Sequence, residues 1–394
     1  MATRFILPLK SDKGKWMIAS GIRSSFTCHV AEKYDWSQLQ HWLDQNTGYK
    51  FGWIGYAAGN DFGGIKLPQD TRDTFPQLFF FVPENLVVTD GKTAEVLSGA
   101  MENDCAEWIS MDQQNDNMPV VLTNETTRDE YLSDVARLKN HIQIGDIYEV
   151  NYCQVFSAKT TLNDPLSLWK KLYRLTESPH AAYAEHQQWH ILCASPERFL
   201  SREGDTIRSQ PIKGTIRRGI DPSEDDHLKK QLFESKKERS ENVMIVDLVR
   251  NDLSRFATRG SVSVDELFGV HTFKTVHHLI STVSCTARPS VTFTDIMAAT
   301  FPMGSMTGAP KKSAMHLIHD FEKSARGIYS GSIGYISPNG DFDFNVVIRS
   351  LLYDSQTGRL FAGVGSAITA GCDPAYEYEE CMLKANALFR ALNP

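Results

Sequence analysis

Apolar residues recur at helical spacing in a few well-separated stretches of the chain. Tyr131, Val135, Leu138 and Ile142 fall on one face of a helix. Thr127, three residues ahead of Glu130, has the capping-box spacing that starts it, and Gly145-Asp146 ends it. Ile245, Val249, Leu253 and Phe256 make a second stripe within residues 238–256. Residues 166–175 read as a third helix, Pro310 opens a fourth, and Pro374 opens the last with Asp373 as its cap. Between them lie runs that read as strands: residues 51–56, the run around Phe79, 147–157, 190–200 and 280–287. Residues 328–337, 342–353 and 360–368 read as consecutive antiparallel strands. Hairpin strands between helices predict an α+β layered architecture. The strict βαβ alternation of a Rossmann sheet is missing. Residues 102–117 read as a polar loop or weak helix, and Asp112 to Pro119 is the best internal boundary. Two sheets sharing one core across that boundary satisfy the same pattern.

Composition narrows the class. The 394 residues suit two or three average domains or one large unit, ample to bury a core without disulfide or metal staples. The net charge of −7 lacks the basic footprint of a nucleic-acid binder. Residues 1–120 hold 10 Lys+Arg against 15 Asp+Glu, so most of the excess negative charge sits there. A small acidic substrate needs only a local cluster of cations and stays compatible. The longest apolar run, around Leu78 to Val82, is far short of the ~18 residues of a membrane span. The opening ten residues are too brief for a secretory segment and are interrupted by Pro8. Seven scattered cysteines without a C-x-x-C pair suit idle thiols in a reducing cytoplasm.

Four local features could carry chemistry. Glu238 and Glu241, and separately Glu377 and Glu380, stand three apart at helix starts. Each pair alone describes a solvated helix face favoured by the helix dipole; two converging pairs could hold Mg²⁺. In Gln210-Pro-Ile-Lys213-Gly-Thr, a lysine at a strand-to-turn junction is either an exposed turn residue or a partly buried one. Burial lowers its pKa and gives the neutral amine a nucleophile needs. Phe301-Pro-Met-Gly-Ser305-Met-Thr-Gly308-Ala-Pro310 could present backbone N–H groups to an anion, or could simply be a helix entry. It is not a Walker A loop, and no H-E-x-x-H zinc spacing occurs. Arg349 falls on a strand, Gly365 near the end of another, and Lys384 four residues after Glu380, where an intrahelical ion pair would explain it.

Singly these signals are weak; their order along the chain is not. Ser195-Pro-Glu197-Arg-Phe, Pro211-Ile-Lys213-Gly-Thr, Glu238-Arg-Ser-Glu241-Asn, His278-Leu-Ile-Ser, Gly308-Ala-Pro-Lys311, Arg326-Gly-Ile-Tyr329-Ser-Gly and Tyr376-Glu-Tyr-Glu-Glu380 together resemble the chorismate-utilising enzymes. That family includes anthranilate, aminodeoxychorismate, isochorismate and salicylate synthases. The match covers roughly residues 120–390, and the first third is similar only loosely, through Gly52-Trp-Ile-Gly-Tyr56. The resemblance implies two antiparallel β-sheets packed together with helices outside, as in anthranilate synthase component I. Residues 1–118 would be the N-terminal part of that unit and 119–394 its chorismate-binding region, within one structural domain.

The resemblance also implies chemistry. Lys213 places the chain nearer the aminodeoxychorismate-forming branch, because anthranilate synthases usually have alanine there. Glu149 stands where isochorismate and salicylate synthases carry a lysine base. The implied reaction converts chorismate and ammonia to 4-amino-4-deoxychorismate, a step of folate and p-aminobenzoate synthesis. Lys213 is the implied nucleophile at C2 and Glu197 the implied acid for the C4 hydroxyl. Glu241 and Glu380 are implied as direct ligands of Mg²⁺, with Glu238 and Glu377 acting through water. His278, Ser305, Tyr329, Arg349, Gly365 and Lys384 are implied substrate contacts. The chain shows no Gly-x-Cys-x-Gly elbow, so ammonia would come from a separate glutamine amidotransferase subunit, and pyruvate release would fall to another enzyme. Two departures stand out: Glu149 replaces the usual glutamine, and Ala367 replaces the glycine that usually ends its turn. Neither a nucleic acid nor a membrane is an implied partner. The rivals are anthranilate synthase component I and a non-catalytic chorismate-binding protein.

Overall fold

A computed structural model describes residues 3–9, 14–29, 36–61, 74–100, 108–110 and 117–393. Most of the boundary expected at 112–119, much of the polar stretch before it, and Cys105 lie outside the described residues. Two antiparallel sheets form the frame. One runs in the order Gly308–Ala309, Glu149–Lys159, Arg359–Thr369, Ser350–Asp354, Trp189–Ser195, His180–His186, Thr3–Pro8, Trp16–Ser20, Asn85–Thr89, Ala94–Ser98, with Thr123–Asn124 added beside Glu149–Lys159. The other runs Ile212–Arg217, Val276–Thr286, Thr206–Gln210, Arg198–Glu203, Phe342–Asn345, Ser332–Ile336, Lys50–Ile54, Leu78–Val82, Ser24–Cys28, with Ser263–Thr272 also paired to Val276–Thr286. This is the two-sheet α+β architecture expected from the sequence.

Strand alternation explains how one chain feeds two apolar layers. In Thr3–Pro8, Phe5 and Leu7 face the other sheet, while Ile6 faces the helices. Between the sheets, Phe5 stacks on Trp53 at 5.7 Å and meets Phe81 at 5.0 Å. On the outer side of the first sheet, Trp169 and Leu172 of helix Pro165–Thr176 pack on Ile6, Ile18 and Leu192. Because both faces are covered, Leu78–Val82 is buried at every position, which is why it reads as an unbroken apolar run.

Several helices start where the sequence places them. Thr127 and Glu130 form a reciprocal capping box on Arg128–Gln143. Asp373 caps Pro374–Leu392, and Pro310 precedes Lys311–Phe321. Helices Trp36–Gln45, Pro222–Glu234 and Phe293–Thr300 and strand Ser263–Thr272 are additional.

Two strand expectations are corrected. Residues 190–200 do not form one strand: Trp189–Ser195 belongs to the first sheet and Arg198–Glu203 to the second. Residues 342–353 divide in the same way, into Phe342–Asn345 and Ser350–Asp354. The chain passes between sheets at residues 196–197 and 346–349. Val346 N–H donates to Glu197 O at 3.1 Å and Ala194 N–H to Arg349 O at 3.3 Å, so the two crossings satisfy each other's backbone groups.

Candidate active site

The crossings put Glu197 and Arg349 on one wall of a cavity of about 810 Å³, its open mouth included. Arg349 has φ 51°, a left-handed conformation uncommon outside glycine, which turns its side chain out of the strand that follows and onto that wall. Burial lowers its guanidinium to about 10, with the nearby Glu197 opposing, so it stays cationic at neutral pH.

Lys213 reaches the same cavity from a bulge. Strand Ile212–Arg217 pairs Ile212 with Ile280 and Thr215 with His278, so three steps on one side oppose two on the other. Gly214, at φ +96°, absorbs the extra residue. Lys213 Nζ lies 2.7 Å from Glu149 Oε1, with the two side chains 9% and 1% exposed. The expected depression of its pKa is not found. Burial pulls it down, but the Glu149, Glu241 and Glu380 carboxylates and the Glu149 hydrogen bond outweigh burial and hold it above the ordinary lysine value. Glu149 is therefore paired, which answers how an extra carboxylate is tolerated near an anionic substrate.

Glu197 holds its proton more tightly than an ordinary carboxyl. Burial raises its carboxyl to about 7, opposed by a 2.7 Å hydrogen bond from Ser305 Oγ and by the charge of Lys213. Ser305 sits in the 3₁₀ turn Gly304–Met306 and spends its hydroxyl on Glu197.

The acidic pairs do converge. Glu238, Glu241 and Glu380 line the cavity. Ser235 caps helix Lys236–Ser254 and fixes where the first pair points. Burial raises Glu241 to about 7, with Glu149 and Glu238 adding repulsion against the pull of Lys213 and Lys237. Its Oε1 is buried without a hydrogen-bond partner. Glu377 stands behind the wall: Lys237 Nζ bonds its Oε1 at 2.7 Å, and Ser366 Oγ donates to Oε2. Among the described residues no three His, Cys, Asp or Glu side chains gather closely enough to form a metal cluster. A divalent ion that keeps its waters and takes one or two carboxylates still suits this wall, given the Glu241 oxygen that accepts no hydrogen bond.

The remaining implied contacts divide. Tyr329, Gly365 and Lys384 line the cavity, and Lys384 Nζ is held by Gly365 O at 3.0 Å and Glu380 at 2.7 Å. Ala367 lies on the same wall, where glycine had been the expected residue. His278 is set back. Its Nδ1 lies 2.8 Å from Thr215 Oγ1, Thr215 rather than the ring faces the cavity, and its buried Nε2 has no partner. Burial first, then Arg349, keeps this imidazole neutral.

Sequence reasoning passed over three residues that build the site. Asn151 lines the wall and donates to Ser305 O at 3.1 Å. Arg326 donates to Asn151 O and Met306 O and pairs with Glu322. Lys237 lies 3.9 Å from Glu241 as well as on Glu377. The readable signal was polar residues in apolar surroundings: Glu149 and Asn151 open a strand that is otherwise almost wholly buried.

The sequence profile of chorismate binding enzymes matches residues 5–390. A rice (Oryza sativa subsp. japonica) protein named "Probable aminodeoxychorismate synthase, chloroplastic" is 43% identical over 266 residues, which is 67% of this chain and 30% of that protein. Aminodeoxychorismate synthase component 1 of Escherichia coli (strain K12) is 34% identical over 351 residues, 88% of this chain and 77% of that protein. The crystal structure of anthranilate synthase component I from Streptococcus pneumoniae TIGR4 superposes with a TM-score of 0.83 at 25% identity, covering 95% of this chain and 92% of that one. The chain thus spans less than a third of the rice protein and about three quarters of the E. coli one.

Proposed function

The chain belongs to the family of chorismate binding enzymes, and from that membership we propose that it aminates chorismate at C4 to give 4-amino-4-deoxychorismate. The observation that carries this reading is the buried Lys213 amine on the cavity wall, in a site that also holds the acid Glu197. A binding module needs neither an acid nor a nucleophile. Anthranilate formation uses the acid but not the lysine.

Chorismate is a dianion, and Arg349 and Lys384 are the cavity cations placed for its carboxylates. Tyr329 closes the floor against Gly363, leaving no room there for a larger residue. Glu197, protonated near neutral pH, gives its proton to the departing C4 hydroxyl. Lys213 forms a bond to C2 as that hydroxyl leaves, and ammonia then bonds C4 and expels the lysine, so one hard displacement becomes two easier ones. Glu241 and Glu380 would hold Mg²⁺ directly, with Glu238 and Glu377 acting through water; when bound, the ion balances the ring carboxylate and favours electron delocalisation. A glutamine amidotransferase subunit would supply the ammonia, consistent with the "component 1" in the E. coli relative's name. The cytoplasm is the proposed compartment, in keeping with the free, buried thiols of Cys153, Cys193, Cys285, Cys372 and Cys381.

Purified protein given chorismate, Mg²⁺ and an ammonium salt should accumulate aminodeoxychorismate by mass, converted to p-aminobenzoate only when a lyase is added. Anthranilate and pyruvate from this chain alone would reject the proposal. Lys213→Ala should abolish the covalent enzyme–substrate species seen by intact-protein mass spectrometry when ammonia is withheld. An adduct of the same mass and yield in that variant would show that another residue is the nucleophile.

A further inference from the structure

A lysine that attacks carbon must first lose a proton, and Lys213 holds its proton firmly. The charged groups turned toward it come from three elements and the first crossing. These are Glu149 from strand Glu149–Lys159, Glu238 and Glu241 from helix Lys236–Ser254, Glu380 and Lys384 from helix Pro374–Leu392, and Glu197. The neutral His278 stands behind Thr215 on strand Val276–Thr286. Among the described residues, Glu149 alone forms an ion pair with Nζ, at 2.7 Å. The backbone at Glu149 is held between Ala309 on one neighbouring strand and Thr369 on the other. It is 1% exposed, and its second oxygen, Oε2, is buried with no hydrogen-bond partner. An oxygen without a donor can take up a proton without giving up another bond.

We infer that Glu149 is the proton store of Lys213, taking the ammonium proton before attack and returning it when the amine departs. This rests on Lys213 being the nucleophile. The cycle balances. The ammonium of Lys213 and the carboxylate of Glu149 become amine and carboxylic acid. The amine lone pair forms the N–C2 bond, the two ring double bonds shift, and the C4–O bond breaks onto oxygen, which leaves as water with the proton of Glu197. Ammonia then forms the N–C4 bond, the double bonds shift back, and the C2–N bond breaks onto the lysine nitrogen. That nitrogen departs as a neutral amine and recovers its proton from Glu149. The new C4 ammonium restores the proton of Glu197. Reprotonated Lys213 cannot attack the product, so the returned proton also commits the reaction forward.

The test is the rate of adduct formation, with chorismate and Mg²⁺ but no ammonia, read by rapid quench and intact mass from neutral to mildly alkaline pH. Both enzymes share the dependence on Glu197, so the ratio of variant to wild type is the readout. Glu149→Gln keeps the shape but cannot store a proton. Its ratio should be about one tenth or less at neutral pH, within the range of general-base effects, and should climb as pH rises. Glu149→Asp pulls the carboxylate back by one methylene. It should also be slower, but with a ratio that stays level with pH; a purely structural role would give both variants the same pH dependence. Thermal unfolding and chorismate binding check that each variant is folded, and if Glu149→Gln does not fold, Glu149→Ala takes its place, with the same climbing ratio expected and a level one overturning the proposal. An adduct rate for Glu149→Gln at or above wild type at neutral pH overturns the proposal. A wild-type enzyme that forms no adduct at all, while Lys213→Ala turns over normally, would instead remove the nucleophile reading beneath it.

Discussion

At the scale of single residues, the site works by burying charge it cannot fully neutralise. Glu197 and Glu241 both have folded pKa values near 7 against an ordinary value of 4.5, and burial is the main cause in each. A carboxyl whose pKa is raised on folding binds its proton more tightly in the native state. The stability it contributes is complete below pH 4.5 and is lost as pH rises through 7. For either residue the loss is on the order of 3 kcal/mol. Glu197→Gln and Glu241→Gln should therefore unfold at higher urea than wild type at pH 8, with the advantage shrinking toward pH 4.5. Urea titrations at the two pH values check this; an equal or lower midpoint at pH 8 contradicts it. On the proposed mechanism, Glu197→Gln should at the same time lose roughly 10²–10⁴ in kcat, since the C4 hydroxyl would no longer receive a proton. Stability gained and activity lost in one substitution is the signature of a strained catalytic group.

At the scale of elements, irregularities in the strands aim the chemistry. The bulge at Lys213-Gly214 is the clearest. A Cβ on Gly214 would lie 3.1 Å from Glu238 Oε2 and 3.2 Å from Leu279 Cβ, at a φ of +96°. Gly214→Ala should destabilise by about 1–3 kcal/mol in urea unfolding, the usual cost of a strained backbone position. It should also slow the proposed adduct formation, because Lys213 and the Glu238 carboxylate are displaced together. Normal stability with normal adduct kinetics would show that the bulge is not what positions Lys213. The two crossings do the same for Glu197 and Arg349. Their apolar flanks read as continuous strands, so periodicity merged each pair into one; the sheet change at Pro196-Glu197 and at residues 346–349 is set by which partner strand is available, which a local window does not contain.

At the scale of the whole molecule, Arg326 ties the layers to the site. Its guanidinium pairs with Glu322, donates to Met306 O and Asn151 O, and lies over the Tyr56 ring at 4.5 Å. It thus joins the turn that carries Ser305, the strand that carries Glu149, and the first third of the chain. Arg326→Met would leave Glu322 buried without its cationic partner, and the expected loss is about 3–5 kcal/mol by chemical denaturation. A change under about 1 kcal/mol would mean that the surrounding packing, not this network, holds the layers in register.

The sequence by itself determined the helix starts at Thr127, Pro310 and Pro374 and the α+β class, because caps and periodicity are local properties written in a few neighbouring side chains, and the order of its motifs carried the family resemblance. It also singled out Glu149 as an oddity without saying what the oddity was for. Only the tertiary structure decided that Glu149 meets Lys213, that the Glu238 and Glu380 helices share a wall, that His278 stands back, and that Lys213 is held charged rather than neutral. Those outcomes depend on groups far apart in the chain coming close together in a poorly hydrated cavity, where the balance of desolvation against opposite charge fixes each protonation state. No periodicity in the chain reports that balance.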